Sequence, residues 1–97
     1  MLDVLIIGQG VAGSILAYDL IKKKLDVATI TDPDKSSASL VAAGLIQTIS
    51  GRHLSIAENT IEQINQALIY YKTLEKEFNK NFINPIKCYR FLDDAQL

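Results

Sequence analysis

Three glycines stand between an apolar run and an amphipathic segment near the start of the chain, and no other feature constrains its fold as strongly. Residues 4–7 are continuously apolar, which is typical of a strand buried on both faces of a parallel sheet. Gly8, Gly10 and Gly13 follow directly. The next apolar residues recur as on one face of a helix: Val11, Ala12, Ile15, Leu16 and Leu20. The pattern predicts a strand that passes through a glycine turn into a helix.

The spacing of the glycines, G-x-G-x-x-G, suits a pyrophosphate held against bare backbone. The first glycine allows a tight turn, the second lets the backbone approach the phosphates, and the third lets the helix pack closely on the strand. The free amides of the first helical turn, with Val11 and Ala12 in it, and the positive end of the helix dipole then face the anion. The alternative is a glycine turn that serves the fold alone.

An acidic residue follows the second apolar stretch. Residues 27–31 are Val-Ala-Thr-Ile-Thr, and Asp32 comes nineteen positions after Gly13. An acid at about this spacing binds the adenosine ribose in dinucleotide folds and disfavours NADP, which leaves NAD or FAD. Asp34 competes for this role, and a turn-forming Asp before Pro33 is the structural alternative. The elements in this order predict an α/β fold with a Rossmann-like βαβ start.

The second half of the chain predicts a long helix and a strand. Ser55 and Glu58 have the spacing of a capping box, and one apolar stripe follows: Ala57, Ile61, Ile64, Leu68, Tyr71, Leu74 and Phe78. Tyr70 and Tyr71 are expected to pack rather than stack on a substrate. Residues 86–92 alternate in a strand-like pattern.

Charge and cysteine content narrow the partners. Ten basic and eleven acidic side chains nearly cancel, so a small molecule is a better partner than nucleic acid or an anionic membrane. The single cysteine, Cys88, cannot form an internal disulfide, which favours the cytoplasm. No signal peptide or transmembrane segment is recognisable. No metal site is expected.

The stretch DPDKSSASLVAAGLIQTISGRHL, residues 32–54, resembles the region after the second strand in the D-amino-acid oxidase and glycine oxidase family of FAD enzymes. The flavin domain of the bifunctional tRNA-modifying methylaminomethyl enzyme is similar. The resemblance implies FAD as cofactor, with small residues beneath the flavin: Ser39, Ala42, Ala43, Gly44 and Leu45. A short helix and strand packed for structural reasons alone are the alternative for this stretch.

The resemblance also implies a domain organisation and an activity. Residues 1–54 would form the FAD-binding βαβ unit and a flavin-flanking loop. Residues 55–97 would form the long helix and the first strand of a substrate domain that is otherwise missing, with the incomplete parallel sheet completed by the remainder of a parent chain or by a second subunit. The parent would be an FAD-dependent oxidoreductase of amines or amino acids, and this chain alone would be inactive.

Two other functions remain open: an NAD-dependent dehydrogenase, and a non-catalytic nucleotide-binding chain. Catalytic residues are expected outside the chain. Arg52 and Arg90 are the only arginines, and either could bind a carboxylate, although an exposed structural arginine is the commoner case. His53 receives no catalytic role.

Overall fold

The structure is a computed structural model that describes residues 1–35, 37–49, 51 and 54–96. It contains two compact units, Met1–Leu45 and Ile46–Leu97. The first unit comprises β1 (Val4–Ile7), α1 (Val11–Lys22), β2 (Val27–Ile30) and the short α2 (Ala38–Val41). The second comprises α3 (Thr60–Phe78) and a 3₁₀ turn, Asp94–Gln96. These units divide earlier in the chain than the functional boundary expected after residue 54, which stays a prediction.

The two strands form a parallel pair in which Val4 lies beside Val27 and Ile7 beside Ile30. At the amino end of the pair, the Asp26 amide donates to Asp3 Oδ2 at 2.8 Å. At the carboxyl end, the Gly8 amide donates to the Ile30 carbonyl at 2.7 Å. Hydrogen bonds therefore hold the strand pair together at both ends. The order of elements and the parallel pairing confirm the α/β fold with a βαβ start.

Helix α1 packs on both strands and covers one face of the pair. Ile6 on that face is 7% exposed and is the one buried hydrophobic residue among the described residues, whereas Ile7 on the opposite face is 83% exposed. The expectation that β1 is buried on both faces is wrong for this unit. A single crossover helix can cover only one side of a two-stranded sheet, and successive strand residues point to opposite sides.

Helix α1 ends in a Schellman motif. The Lys24 amide donates to the Ile21 carbonyl at 2.8 Å, and the Leu25 amide donates to the Leu20 carbonyl at 3.2 Å. Lys24 itself has a φ of 64°, the left-handed conformation that this motif requires and that glycine adopts most easily. The motif reverses the chain so that β2 runs parallel to β1.

The capping box predicted for α3 is wrong. The helix begins at Thr60, and its N-cap is Asn59, with a φ of 62° and no side-chain cap. Ser55 and Glu58 lie in the preceding segment, where the Thr60 amide donates to the Ala57 carbonyl at 3.2 Å. This turn delays the helix by two residues beyond Glu58, so the Glu58 side chain cannot act at the third helical position as a capping box requires.

The predicted apolar stripe is only partly covered. Its central members, Ile64, Leu68, Tyr71 and Leu74, are half-buried. Ile61 and Phe78 near the ends of the helix are exposed.

The strand predicted over residues 86–92 is also absent, because these residues form irregular backbone. A strand is stabilised by its ladder of hydrogen bonds to a neighbour, and the described part of this unit offers no paired strand. The segment contains Arg90, whose Nη2 donates a hydrogen bond to the Gly51 carbonyl at 2.8 Å.

Candidate functional site

The turn after β1 requires glycine at its first position. Gly8 has a φ of 101°, a backbone conformation that other residues adopt only at a cost. Its amide donates to the carbonyl of Ile30, the last residue of β2. This bond directs the chain across the carboxyl edge of the sheet, which is where ligands bind in open α/β folds.

Gly13 lets α1 lie directly on this turn. A Cβ added at Gly13 would overlap the carbonyl oxygen of Gly8 and would come within 3.5 Å of Ile6 Cγ2. The first and third glycines therefore have the structural roles that the spacing predicted. Whether they serve a cofactor is a separate question, and their assignment as cofactor-binding residues stays a prediction.

The amino end of α1 presents backbone donors. Gly10 is the N-cap and contributes no side-chain cap, and the Val11 amide donates to Ser39 Oγ at 2.9 Å. The amides of Ala12 and Gly13 have no hydrogen-bond partner among the residues that the structure describes. The first turn of α1, which is described throughout, holds no acidic side chain. Two open amides and the positive end of the helix dipole are suited to an anion.

Asp32 lies two residues beyond β2, at the same edge of the sheet as the glycine turn. Its Oδ1 accepts from the Asp34 amide at 3.0 Å, so the turn-forming role is present. Its Oδ2 lies 3.8 Å from Lys35 Nζ, and half of the Asp32 side chain is exposed. The carboxylate can thus still accept hydrogen bonds from a ribose. Asp34 takes part in this turn through its backbone.

The stretch of small residues is divided by the structure. Ser39 lies in α2 and reaches the glycine turn through its hydroxyl. The remaining members follow α2 as an exposed segment in which Gly44 has a φ of 69°: Ala42, Ala43, Gly44 and Leu45. Among the described residues, no hydrogen bond links this segment to the glycine turn.

Two neighbours of the site were not predicted. Lys35 lies beside Asp32, and Ser37 caps α2 by accepting from the Leu40 amide at 3.3 Å. The sequence carried a signal for each of them. Lys35 comes three residues after Asp32, which starts a turn, and Ser37 comes three residues before Leu40 in a short apolar run.

The other candidates belong to the second unit or lie outside the described residues. Arg90 is engaged by the Gly51 carbonyl, which agrees with the structural reading of this arginine. Tyr70 and Tyr71 are half-buried, with ring centroids 6.3 Å apart in an edge-to-face arrangement. Arg52 and His53 lie outside the described residues.

In the described ranges no group of three or more His, Cys, Asp or Glu could hold a metal, and no helix there has the length and hydropathy needed to cross a bilayer.

A parallel βαβ unit with a glycine turn, and with an acid after the second strand, is typical of dinucleotide-binding proteins. The family model described as FAD dependent oxidoreductase matches residues 3–96. The chain belongs to that family, and FAD is the family's cofactor. No solved structure matches the chain. The family membership confirms the superfamily that the resemblance indicated, and it does not distinguish the glycine oxidase or tRNA-modifying branches.

Proposed function

We propose that this chain is the N-terminal FAD-binding part of an oxidoreductase that acts on amines or amino acids. The observation that carries the proposal is the glycine turn, after which the Ala12 and Gly13 amides at the amino end of α1 have no partner among the described residues. Family membership over residues 3–96 supports FAD rather than NAD as the dinucleotide.

The proposed contacts follow the chain across the carboxyl edge of the sheet. The pyrophosphate lies on the amides of the first turn of α1, close to Gly8, Gly10 and Val11. The Asp32 carboxylate accepts a hydrogen bond from the adenosine ribose, and its exposure leaves it accessible for this. The segment after α2 lies beneath the flavin, where small side chains leave room for a flat ring system: Ala42, Ala43, Gly44 and Leu45. FAD, when bound, supplies the acceptor for a hydride taken from the substrate carbon that carries nitrogen.

The substrate class rests on the resemblance of residues 32–54 to D-amino-acid and glycine oxidases and to the flavin domain of the tRNA-modifying enzyme. We further propose that the substrate-binding residues belong to the remainder of the parent polypeptide or to a second subunit. The exposure of Ile7, at 83%, and Phe91, at 97%, supports additional protein around these units, because large apolar side chains are stabilised by burial. A cytoplasmic location is proposed from the single cysteine.

The test uses the protein encoded by the complete natural reading frame. It should purify with the absorbance spectrum of a bound flavin, and anaerobic addition of its substrate from a panel of amines and amino acids should bleach that spectrum. A colourless protein that is protected from heat by NAD, and not by FAD, would favour the dehydrogenase alternative. Equilibrium dialysis that detects no binding of FAD, NAD or AMP would support a non-catalytic role.

A further inference from the structure

One tertiary hydrogen bond joins α2 to the glycine turn. Ser39 and Val11 are 28 residues apart in sequence, yet the Val11 amide donates to Ser39 Oγ at 2.9 Å. Ser39 belongs to a helix of only four residues, Ala38–Val41. So short a helix has little stability of its own in water, and its position depends on contacts of this kind.

The conformation of Gly10 shows why a glycine precedes this contact. Gly10 has a φ of −77° and a ψ of −167°, which every residue type adopts readily. An added Cβ would nevertheless lie 3.0 Å from Ser39 Oγ, which is tighter than an ordinary contact, so the hydroxyl would have to move by a few tenths of an ångström. The absence of a side chain at Gly10 therefore leaves room for the Ser39 hydroxyl, even when no ligand is bound.

We propose that Ser39 is a positioning residue, whose hydroxyl holds α2 on the glycine turn in the cofactor-free protein, and that the absence of a side chain at Gly10 leaves room for this contact. This inference rests on the proposed function, because it assumes that the protein binds FAD after the Ser39 contact has formed. The hydroxyl satisfies the Val11 amide and leaves those of Ala12 and Gly13 for a phosphate. If α2 is held in place beforehand, FAD binding does not have to position it.

The first measurement is amide hydrogen exchange, resolved at Val11, in the cofactor-free full-length protein. Ser39→Ala removes the acceptor, and we expect the Val11 amide to exchange about 2- to 10-fold faster, the range for one neutral hydrogen bond. Gly10→Ala should give a similar increase by displacing the hydroxyl. The double variant should exchange no faster than either single variant, since both remove one interaction.

Ser37→Ala is the matched control, because it removes a serine hydroxyl from the same segment. This hydroxyl accepts from the Leu40 amide within α2 and makes no bond to the glycine turn. The Leu40 amide also donates to the Ser37 carbonyl at 3.0 Å, so the replacement should change exchange at Leu40 little and should leave exchange at Val11 unchanged. Ser39 is exposed, so its replacement should leave the fold intact, and unchanged exchange along β1 would verify this in each variant.

The second measurement is the rate of FAD association with the apo protein, followed by flavin fluorescence. Ser39→Ala should slow association and raise the dissociation constant, both by about 2- to 10-fold. Unchanged Val11 exchange in Ser39→Ala, or additive effects of the Gly10 and Ser39 replacements, would overturn the inference even if FAD binds. Failure of the wild-type protein to bind FAD, with exchange behaving as expected, would instead refute the proposed function and leave the role of Ser39 in the apo protein standing.

Discussion

Asp32 already has protein partners, and they limit how its contribution can be tested. Its Oδ1 supports the turn by accepting from the Asp34 amide, and its Oδ2 lies near Lys35 Nζ. Removing the whole carboxylate would disturb this turn together with any ribose contact. Asparagine keeps an oxygen that can accept from the Asp34 amide and removes only the charge, so it separates the two roles.

We expect Asp32→Asn to weaken FAD binding by about 1 kcal/mol, the difference between a hydrogen bond to a charged group and one to a neutral group. Calorimetric titration of the full-length apoprotein with FAD measures this change. Asp34→Asn is the control and should bind as the wild type does, since Asp34 contributes its backbone amide to the turn. Equal affinities for wild type and Asp32→Asn would show that Asp32 is a turn residue alone.

At the scale of single residues, the sequence predicts what depends on local spacing. Gly8 and Gly13 adopt the roles that G-x-G-x-x-G implies, because the strand, turn and helix are contiguous. The hydrogen bond between Val11 and Ser39 could not be predicted from spacing, since it spans 28 residues and depends on how α2 packs. The resemblance to flavin enzymes singled out Ser39, but it gave no indication of this partner.

The end of α1 offers a test at the scale of an element. Lys24 occupies the left-handed position of the Schellman motif, with a φ of 64°, where glycine has no Cβ penalty. We expect Lys24→Gly to stabilise the protein by about 0.5–1 kcal/mol. Thermal or urea unfolding of the full-length protein measures the free energy of unfolding.

Lys23→Gly is the control, because it makes the same lysine-to-glycine replacement one position earlier, where we expect the opposite change in stability. Lys23 has a φ of −81°, so glycine gains nothing in the folded state and increases the entropy of the unfolded chain. This variant should be destabilised by about 0.5–1 kcal/mol. Equal changes at the two positions would contradict the left-handed geometry of Lys24.

Helix α3 carries a pH-dependent contact. The Glu75 carboxylate accepts from the amides of Phe82 at 2.7 Å and Ile83 at 2.9 Å. The bond from Ile83, followed by that from Phe82, lowers the pKa of Glu75 below 4.5. These bonds fold the chain after α3 back onto the helix.

Because the folded-state pKa of Glu75 is lowered, its stabilising contribution is complete above the ordinary pKa of a glutamate. The contribution is lost as the pH falls through the folded-state pKa. Hydrogen exchange at the Phe82 and Ile83 amides should therefore become less protected on acidification, relative to intrinsic exchange. Glu75→Gln, which cannot ionise, should remove this pH dependence, and a variant that retained it would contradict the assignment.

Elements were predictable where their periodicity is reinforced by packing. Helix α1 and strand β2 form close to their predicted ranges because α1 packs on both strands. The capping box at Ser55 failed because the left-handed Asn59 starts α3 later. The prediction of a strand over residues 86–92 was wrong. Alternating polar and apolar residues suit a strand in a sheet, but a strand forms only where a neighbouring strand is present to pair with it.

At the scale of the whole molecule, the fold class was predictable from the order of elements and the family from the resemblance of residues 32–54, whereas burial was not predictable. The match to the FAD dependent oxidoreductase family extends over residues 3–96, in agreement with the resemblance drawn from the glycine turn and residues 32–54. Burial depends on what surrounds each face. Ile6 is buried beneath α1 while Ile7, its neighbour, is exposed, and the continuous apolar run gave no means of distinguishing them.

We propose above all that FAD lies against the Ala12 and Gly13 amides at the start of α1, next to Gly10, which has no side chain to hold the phosphates away. The most direct test of this proposal compares FAD binding by full-length wild-type protein, Gly10→Val and Gln9→Val, the last placing the same side chain at an exposed neighbouring position. We expect Gly10→Val to weaken binding at least about a hundredfold, corresponding to about 2.8 kcal/mol of steric cost, and Gln9→Val to bind like the wild type. Equal FAD affinity for Gly10→Val and the wild type would contradict it.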